Sequence, residues 1–205
     1  MTEEEARSWI EQRHGAAGVD AMTRLAALVR DEATRQNLIA PSTLDEIWAR
    51  HIVDSAQLIP LAEPYPGTWL DIGTGAGFPG LVVAALTDRP IWLVEPRKRR
   101  ADFLSACCEA LSCAARTTVV TGKVERVKDV QAAVISARAV ASLWELLGAA
   151  RHCSTWNTLW LLPKGRSARE EIASAQQSWH GAFHVEHSVT DPESLIVIAK
   201  EVTRR

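Results

Sequence analysis

Several common features are missing from this sequence of 205 residues, and each absence narrows what it does. No apolar run approaches the roughly 18 residues needed to cross a bilayer, so no membrane-spanning segment is expected. The opening stretch, Met1-Thr2-Glu3-Glu4-Glu5, is acidic and lacks an apolar core; no export signal is read, and a cytosolic location is expected. The 4 cysteines (Cys107, Cys108, Cys113, Cys153) form no CxxC pair and no zinc-ligand spacing, so no metal site is expected. Three of them fall in one expected helix as small packing residues. Positive charge is not in excess either: the formal net charge is -2. A nucleic-acid partner would have to meet a local basic face, for which Arg97-Lys98-Arg99-Arg100 is the candidate. There is no internal repeat and no low-complexity tract.

What is present suits one ordinary globular domain with a real core, at 47% apolar and 23% charged residues. Thr2-Glu3-Glu4-Glu5 reads as a capping box opening a helix that runs to about His14, before Gly15. Asp20 is expected to cap a second helix, ending near Gln36-Asn37, with Met22, Leu25, Ala26, Leu28 and Val29 as its apolar stripe. Thr43-Leu44-Asp45-Glu46 reads as another capping box. Leu44, Ile47, Trp48, His51, Ile52, Ser55, Ala56 and Ile59 then share a face at helical spacing. Residues 1–62 are thus expected as a helical extension packed on a main domain of residues 63–205. His51 on that face is either a buried, hydrogen-bonded histidine or a residue at a substrate mouth.

After Pro64-Tyr65-Pro66-Gly67 the pattern changes to short strands alternating with helices. Strands are expected near 68–72, 90–95, 117–121, 132–136, 157–162, 182–188 and 194–200, and helices near 79–87, 97–113, 123–128, 141–151 and 167–179. Such alternation implies an α/β protein with a parallel sheet between helices. The last two strands have only the Thr190-Asp191-Pro192-Glu193 turn between them, so they should form an antiparallel hairpin at the sheet edge. A parallel sheet closing in this way resembles the seven-stranded, Rossmann-like fold of class I S-adenosylmethionine-dependent methyltransferases.

The chemistry begins at Trp69-Leu70-Asp71-Ile72-Gly73-Thr74-Gly75-Ala76-Gly77-Phe78-Pro79-Gly80. Gly75 to Gly80 satisfies the dinucleotide spacing G-x-G-x-x-G. Gly73 to Gly77 satisfies the G-x-G-x-G loop of S-adenosylmethionine enzymes. The strand ends at Asp71-Ile72, so the turn falls on Gly73. That register favours S-adenosylmethionine, because the dinucleotide reading would move the helix start off the pyrophosphate. Glu95 ends the second strand, where a carboxylate takes ribose hydroxyls of either ligand, or else caps the next helix.

Separated blocks then resemble the RsmG (GidB) family, the bacterial small-subunit rRNA guanine-N7 methyltransferases. They are Arg50-His51-Ile52-Val53-Asp54-Ser55, Asp71 to Gly80, Lys98-Arg99-Arg100-Ala101-Asp102-Phe103-Leu104, Val124-Glu125, Ile135 to Leu143 with Ser136 and Arg138, and Pro163-Lys164-Gly165. The blocks occur in family order over roughly residues 37–200. The resemblance implies transfer of a methyl group from S-adenosyl-L-methionine to N7 of a guanosine in the decoding-region loop of 16S rRNA. It also implies cofactor contacts from Gly73 and Phe78, adenine contacts from Val124 and Glu125, and a place for Arg138 on the reaction side. The second strand departs from the family by ending Val94-Glu95-Pro96 where many members have an aspartate followed by a serine. Either carboxylate can bind ribose.

Guanine N7 carries an in-plane lone pair, so no general base is required, and catalysis should come from placement and water exclusion. Asp71, Thr74, Gly75 and Gly77 complete the expected cofactor set. Arg138 or Lys164 is expected to hold O6 or a flanking phosphate, since a bidentate arginine on O6 and N7 would occupy the nucleophile. A salt bridge at the sheet edge is the plainer role for either. Arg50, His51, Arg97, Lys98, Arg99, Arg100 and Arg166 are the candidates for an RNA-binding face. Trp69, Trp92, Trp144 and Trp160 are expected in packing, and Trp48 is the candidate for base stacking. The expected partner is 16S rRNA, as the 30S subunit or its precursor, bound by a monomer. The rival readings are a class I methyltransferase with another acceptor, and a non-catalytic nucleotide- or RNA-binding module.

Overall fold

The computed structural model describes all 205 residues, Met1–Arg205. Seven strands form one sheet in the order β3-β2-β1-β4-β5-β7-β6. They are β1 (Trp69–Ile72), β2 (Ile91–Glu95), β3 (Thr117–Thr121), β4 (Ala132–Ala137), β5 (Ser154–Lys164), β6 (Trp179–His187) and β7 (Leu195–Arg204). β1 to β5 pair in parallel, and β7 runs antiparallel to both β5 and β6. The terminal hairpin therefore joins the sheet inside out, with the last strand inserted beside β5. β1 is buried along its whole length, as a central parallel strand covered on both faces must be.

The helices are α1 (Glu3–Ala33), α2 (Asp54–Ala56), α3 (Leu58–Ala62), α4 (Gly80–Leu86), α5 (Lys98–Ala110), α6 (Leu143–Ala149) and α7 (Ala168–Ala175). The two faces of the sheet carry two hydrophobic clusters. One joins Ile10, Met22 and Leu25 of α1 to Trp48, Trp69, Leu81 and Leu104. The other joins Leu70, Ile135 and Trp160 to Leu143, Leu147 and Trp179. Residues 1–62 thus share a core with the sheet. All four cysteines are buried free thiols, in keeping with packing.

The Thr2 capping box forms as expected, with Glu5 N–H donating to Thr2 Oγ1 at 3.2 Å and Thr2 N–H donating to Glu5 Oε2 at 2.7 Å. Gly15 (φ 64°, ψ -172°) kinks α1 where the first helix was expected to stop. Helix resumes at once, so Asp20 lies inside α1 and caps nothing. The single helix expected after Thr43 is replaced by separate pieces. Pro41–Thr43 is a 3-10 turn, and Trp48–Val53 is a π-helical segment that runs directly into α2. Thr43 caps no helix; its hydroxyl donates to Ala40 O at 2.9 Å. The helix expected over 123–128 is a single 3-10 turn, Val124–Arg126. β5 and β6 begin three residues sooner than expected, and α7 ends at Ala175 because Trp179 already belongs to β6.

Candidate active site at the switch point of the sheet

From β1 the chain winds outward through β2 to β3, then returns to β4 on the other side of β1. Connections therefore diverge above the carboxyl ends of β1 and β4, where open α/β sheets leave a crevice. Three adjoining chambers open there, of about 420, 630 and 860 Å³, each within the usual range for small-molecule sites. The largest is lined by Glu95, Val124 and Glu125. The smallest is lined by Gly73, Thr74, Gly75, Phe78, Arg50, His51 and Arg138. The third lies against Arg138 and Lys164.

The glycine loop begins at Gly73, directly after β1, with φ 66°. A Cβ there would lie 2.5 Å from Val140 Cγ2, so glycine is required by both conformation and space. Gly75 N–H donates to Glu95 Oε2 at 2.9 Å, and Arg97 N–H donates to Oε1 at 2.9 Å. The end of β2 thereby fixes the loop after β1, and the carboxylate stays on the wall of the largest chamber. Thr74 lines the smallest chamber and donates to Asp71 O at 3.2 Å.

Two members of the expected cofactor set line none of these chambers. Gly77 packs instead, its missing Cβ being the space filled by Leu81 Cδ1 at 2.4 Å. Asp71 is fully buried in β1. Its Oδ2 accepts Gly80 N–H at 3.0 Å, at the start of α4, and its Oδ1 accepts the Ser136 hydroxyl at 2.6 Å. Ser136 in turn accepts the Trp69 indole N–H at 2.8 Å. Burial raises the Asp71 carboxyl from 3.8 to about 6, against the pull of these hydrogen bonds and of Arg138. Asp71 shapes the loop from beneath.

The segment before the sheet and the residue after β4 meet in the smallest chamber. Arg138 Nη1 donates to Asp54 Oδ2 and to Arg50 O, both at 3.1 Å, and Nη2 donates to His51 Nδ1 at 2.8 Å. Because a guanidinium has no acceptor, His51 Nδ1 must be unprotonated and Nε2 must carry the hydrogen. That hydrogen points to Thr43 Oγ1 at 2.9 Å. Burial, then the Arg138 and Arg50 charges, push the His51 pKa down to about 3, so the ring is neutral. Phe78 stacks on His51 at 5.0 Å between ring centroids, and the Arg138 guanidinium lies 5.4 Å from the Phe78 centroid. Sequence reasoning named Arg138, His51 and Phe78 but gave no role to Asp54. Its spacing of three from His51 was the available signal.

Asp54 also ties this cluster to the final hairpin. Gln57 Nε2 donates to Asp54 Oδ1 and to Ser188 Oγ, at 3.0 and 2.9 Å. Lys164 makes the salt bridge that was its plainer expected role. Its ammonium donates to Ala141 O at 2.6 Å and pairs with Glu171 at 2.8 Å, with the side chain only 10% exposed. Burial works to raise the Glu171 carboxyl, but Lys164 and the Leu143 amide outweigh it and hold it below the usual range. Lys164 thus anchors the loop that follows Arg138.

The basic candidates divide. Arg50 and Arg100 line the smallest chamber, and Arg97 and Arg100 line the largest. Arg100 also donates to Asn37 O at 2.6 Å. Lys98 pairs with Asp102 at 2.7 Å and Arg166 pairs with Glu193, all four side chains exposed. Lys98, Arg99 and Arg166 line none of the three chambers. Two tryptophans exchange places with expectation. Trp48 is 1% exposed in the core, under the Arg7 guanidinium, and is no stacking platform. Trp144 is 50% exposed on the rim of the largest chamber rather than packed.

A mostly parallel seven-stranded sheet with this strand order, a glycine turn after β1 and a carboxylate ending β2 define the class I S-adenosylmethionine-dependent methyltransferase fold. Solved structures share it at low identity. The Bacillus cereus O-methyltransferase in complex with SAH superposes with a TM-score of 0.59 at 14% identity, over 87% of this chain and 90% of that one. The glycopeptide N-methyltransferase MtfA complexed with S-adenosyl-L-methionine gives 0.59 at 12%, over 73% and 93%. Within that fold, this chain belongs to the GidB family, rRNA small subunit methyltransferase G, whose sequence profile matches residues 19–194. Ribosomal RNA small subunit methyltransferase G of Rhizorhabdus wittichii is 49% identical, over 100% of this chain and 95% of its own length. The protein of the same name from Erythrobacter litoralis is 44% identical over 97% and 96%.

Proposed function

We propose that this protein transfers a methyl group from S-adenosyl-L-methionine to N7 of a guanosine in the decoding-region loop of 16S rRNA. The observation that carries the reading is the meeting of three separate family blocks, around Gly73–Phe78, Arg50–Asp54 and Arg138, in one chamber above the switch point. The chamber walls fit the cofactor: at Gly75 the bare turn leaves room for its approach, the nearest atoms to an added Cβ lying 3.7 and 3.9 Å away, and the buried Glu95 carboxylate beside it suits ribose hydroxyls. Glu95 would hold the ribose, Val124 and Glu125 the adenine edge, and Gly73 to Gly75 the remainder. When bound, the cofactor supplies an electrophilic methyl group on a sulfonium sulfur.

Protein side chains then have to place a nucleophile that needs no deprotonation. The neutral His51 cannot act as an acid at neutral pH, in keeping with chemistry that asks for none. Arg138 uses three of its five N–H donors on Arg50, Asp54 and His51. The two that remain suit guanine O6 or a flanking phosphate while N7 stays free. Lys164 is a positioning residue that holds the 138–142 loop through Ala141 O. Arg50, Arg97 and Arg100 form the basic border at which RNA phosphates enter. No helix is long and apolar enough to cross a membrane. The proposal includes action as a monomer on cytoplasmic ribosomal subunits.

The test is methyl transfer from tritiated S-adenosylmethionine to naked 16S rRNA and to 30S subunits, with wild type and Arg138→Ala. The reading predicts label in RNA, and loss of most of it in the variant. Full transfer and unchanged RNA affinity in Arg138→Ala would refute its role.

A further inference from the structure

We infer that Glu3 is a positioning residue for methyl transfer, acting from the first turn of α1 on the segment that presents Arg50, His51 and Asp54 to Arg138. The inference rests on the proposed role of that cluster at the acceptor side of the site. The Trp48–Val53 segment starts with no side-chain cap from its own N-cap residue. Its first two residues, Trp48 and Ala49, are buried at 1% and 5% exposure, so their amides have no water to turn to. Both are taken by one distant carboxylate. Trp48 N–H donates to Glu3 Oε2 at 3.1 Å, and Ala49 N–H donates to Glu3 Oε1 at 2.8 Å.

The rest of that helix face supports the same contact. Ala6 and Ile10, one and two turns on, are fully buried, and the Arg7 guanidinium lies 4.2 Å from the Trp48 ring centroid. Glu3, Glu4 and Glu5 all stand in the first turn of α1, where acids suit the helix dipole. Glu5 closes the capping box of α1, whereas Glu3 gives both oxygens to another segment. What Glu3 fixes is one residue away from the chemistry: after Ala49 come Arg50, His51 and Asp54, which supply all three acceptors of Arg138. Glu3 also lies outside residues 19–194, the stretch that the family's sequence profile matches.

The experiment uses the full chain with Glu3→Ala and the isosteric Glu3→Gln, which keeps one acceptor oxygen. Amide hydrogen exchange, affinity for S-adenosylhomocysteine and kcat/KM for rRNA are measured on each. Exchange at Trp48 to Asp54 should rise about tenfold or more while β1 and β4 keep their protection. The rRNA kcat/KM should fall about 10- to 100-fold in Glu3→Ala, and less in Glu3→Gln. S-adenosylhomocysteine affinity should stay within about twofold. Unchanged exchange, wild-type transfer despite faster exchange, or parallel loss of S-adenosylhomocysteine binding and transfer would each overturn the inference. Failure of the wild type to methylate rRNA would remove the proposed function, and the positioning role with it; the exchange data would still show whether Glu3 anchors the segment.

Discussion

Replacing Asp71 by asparagine should make the protein more stable at neutral pH and less stable in acid. Burial raises the Asp71 carboxyl from 3.8 to about 6 in the folded state. The folded protein therefore binds this proton more tightly than the unfolded chain does. The stability this contributes is fully present below about pH 4 and is lost as pH rises through 6. About two pH units at 1.36 kcal/mol each give a loss of about 3 kcal/mol between pH 4 and 7. Asparagine cannot ionise, so it escapes that loss. Its oxygen can still accept Gly80 N–H, but its amide nitrogen must face Ser136 Oγ, which donates to Asp71 in the wild type at 2.6 Å. Turning that hydroxyl away costs about 1 kcal/mol. The variant should thus be about 1 kcal/mol less stable at pH 4 and about 2 kcal/mol more stable at pH 7. Urea denaturation of both proteins across this range measures the difference. His51, depressed to about 3, contributes stability that is lost as pH falls below 6.5, but it does so in both proteins and cancels. A difference that does not change with pH would refute the account of Asp71.

Other consequences follow from the same geometry. In a double-mutant cycle of Asp54→Asn and Arg138→Met, the pair at 3.1 Å with side chains 15% and 19% exposed should show a coupling energy of about 3 kcal/mol by thermal or urea unfolding; additivity would mean that the two do not hold each other. Gly73→Ala places a Cβ 2.5 Å from Val140 at φ 66°, and should lower folding stability by at least roughly 1–2 kcal/mol of backbone strain, read by urea denaturation. Glu95→Gln removes a charged hydrogen-bond acceptor worth about 1.5–3 kcal/mol, so calorimetric titration with S-adenosylhomocysteine should show about a 10- to 150-fold loss. Binding of rRNA should weaken steeply with salt, and Arg97→Ala or Arg100→Ala should each lower the slope of log K against log salt by about 0.7 to 0.9.

Much of the fold was legible because local chemistry and tertiary structure agree. Strand–helix alternation, the Thr2 capping box and the strand register that puts the turn on Gly73 all appear where expected. The apolar face of the Trp48–Val53 segment was legible, with Ile47, Trp48 and Ile52 buried, but the anchor of its start was not, because its first amides are satisfied by Glu3, 45 and 46 residues earlier in the chain. No local pattern announces that. Apolar character likewise could not tell Trp48, roofed by Arg7, from Trp144 on a chamber rim, since only the packing of distant elements separates them. Asp71 shows the same limit at the site: its place beside the glycine loop suggested a ligand contact, while its partners Gly80 and Ser136 come from α4 and β4 and draw it beneath the loop. The sequence blocks around Arg50 and Arg138 identified the right residues, and folding supplied what they do to one another.

The position of the methyl group on the RNA decides the function. Incubating the purified protein with S-adenosylmethionine and unmodified 30S subunits or 16S rRNA, then reducing with borohydride and cleaving with aniline, breaks the strand at N7-methylguanosine. Primer extension should show one new stop, at a guanosine of the decoding-region loop, absent when Arg138→Ala replaces the wild type. No stop, or a methyl group on another atom or another region of the RNA, would contradict the account.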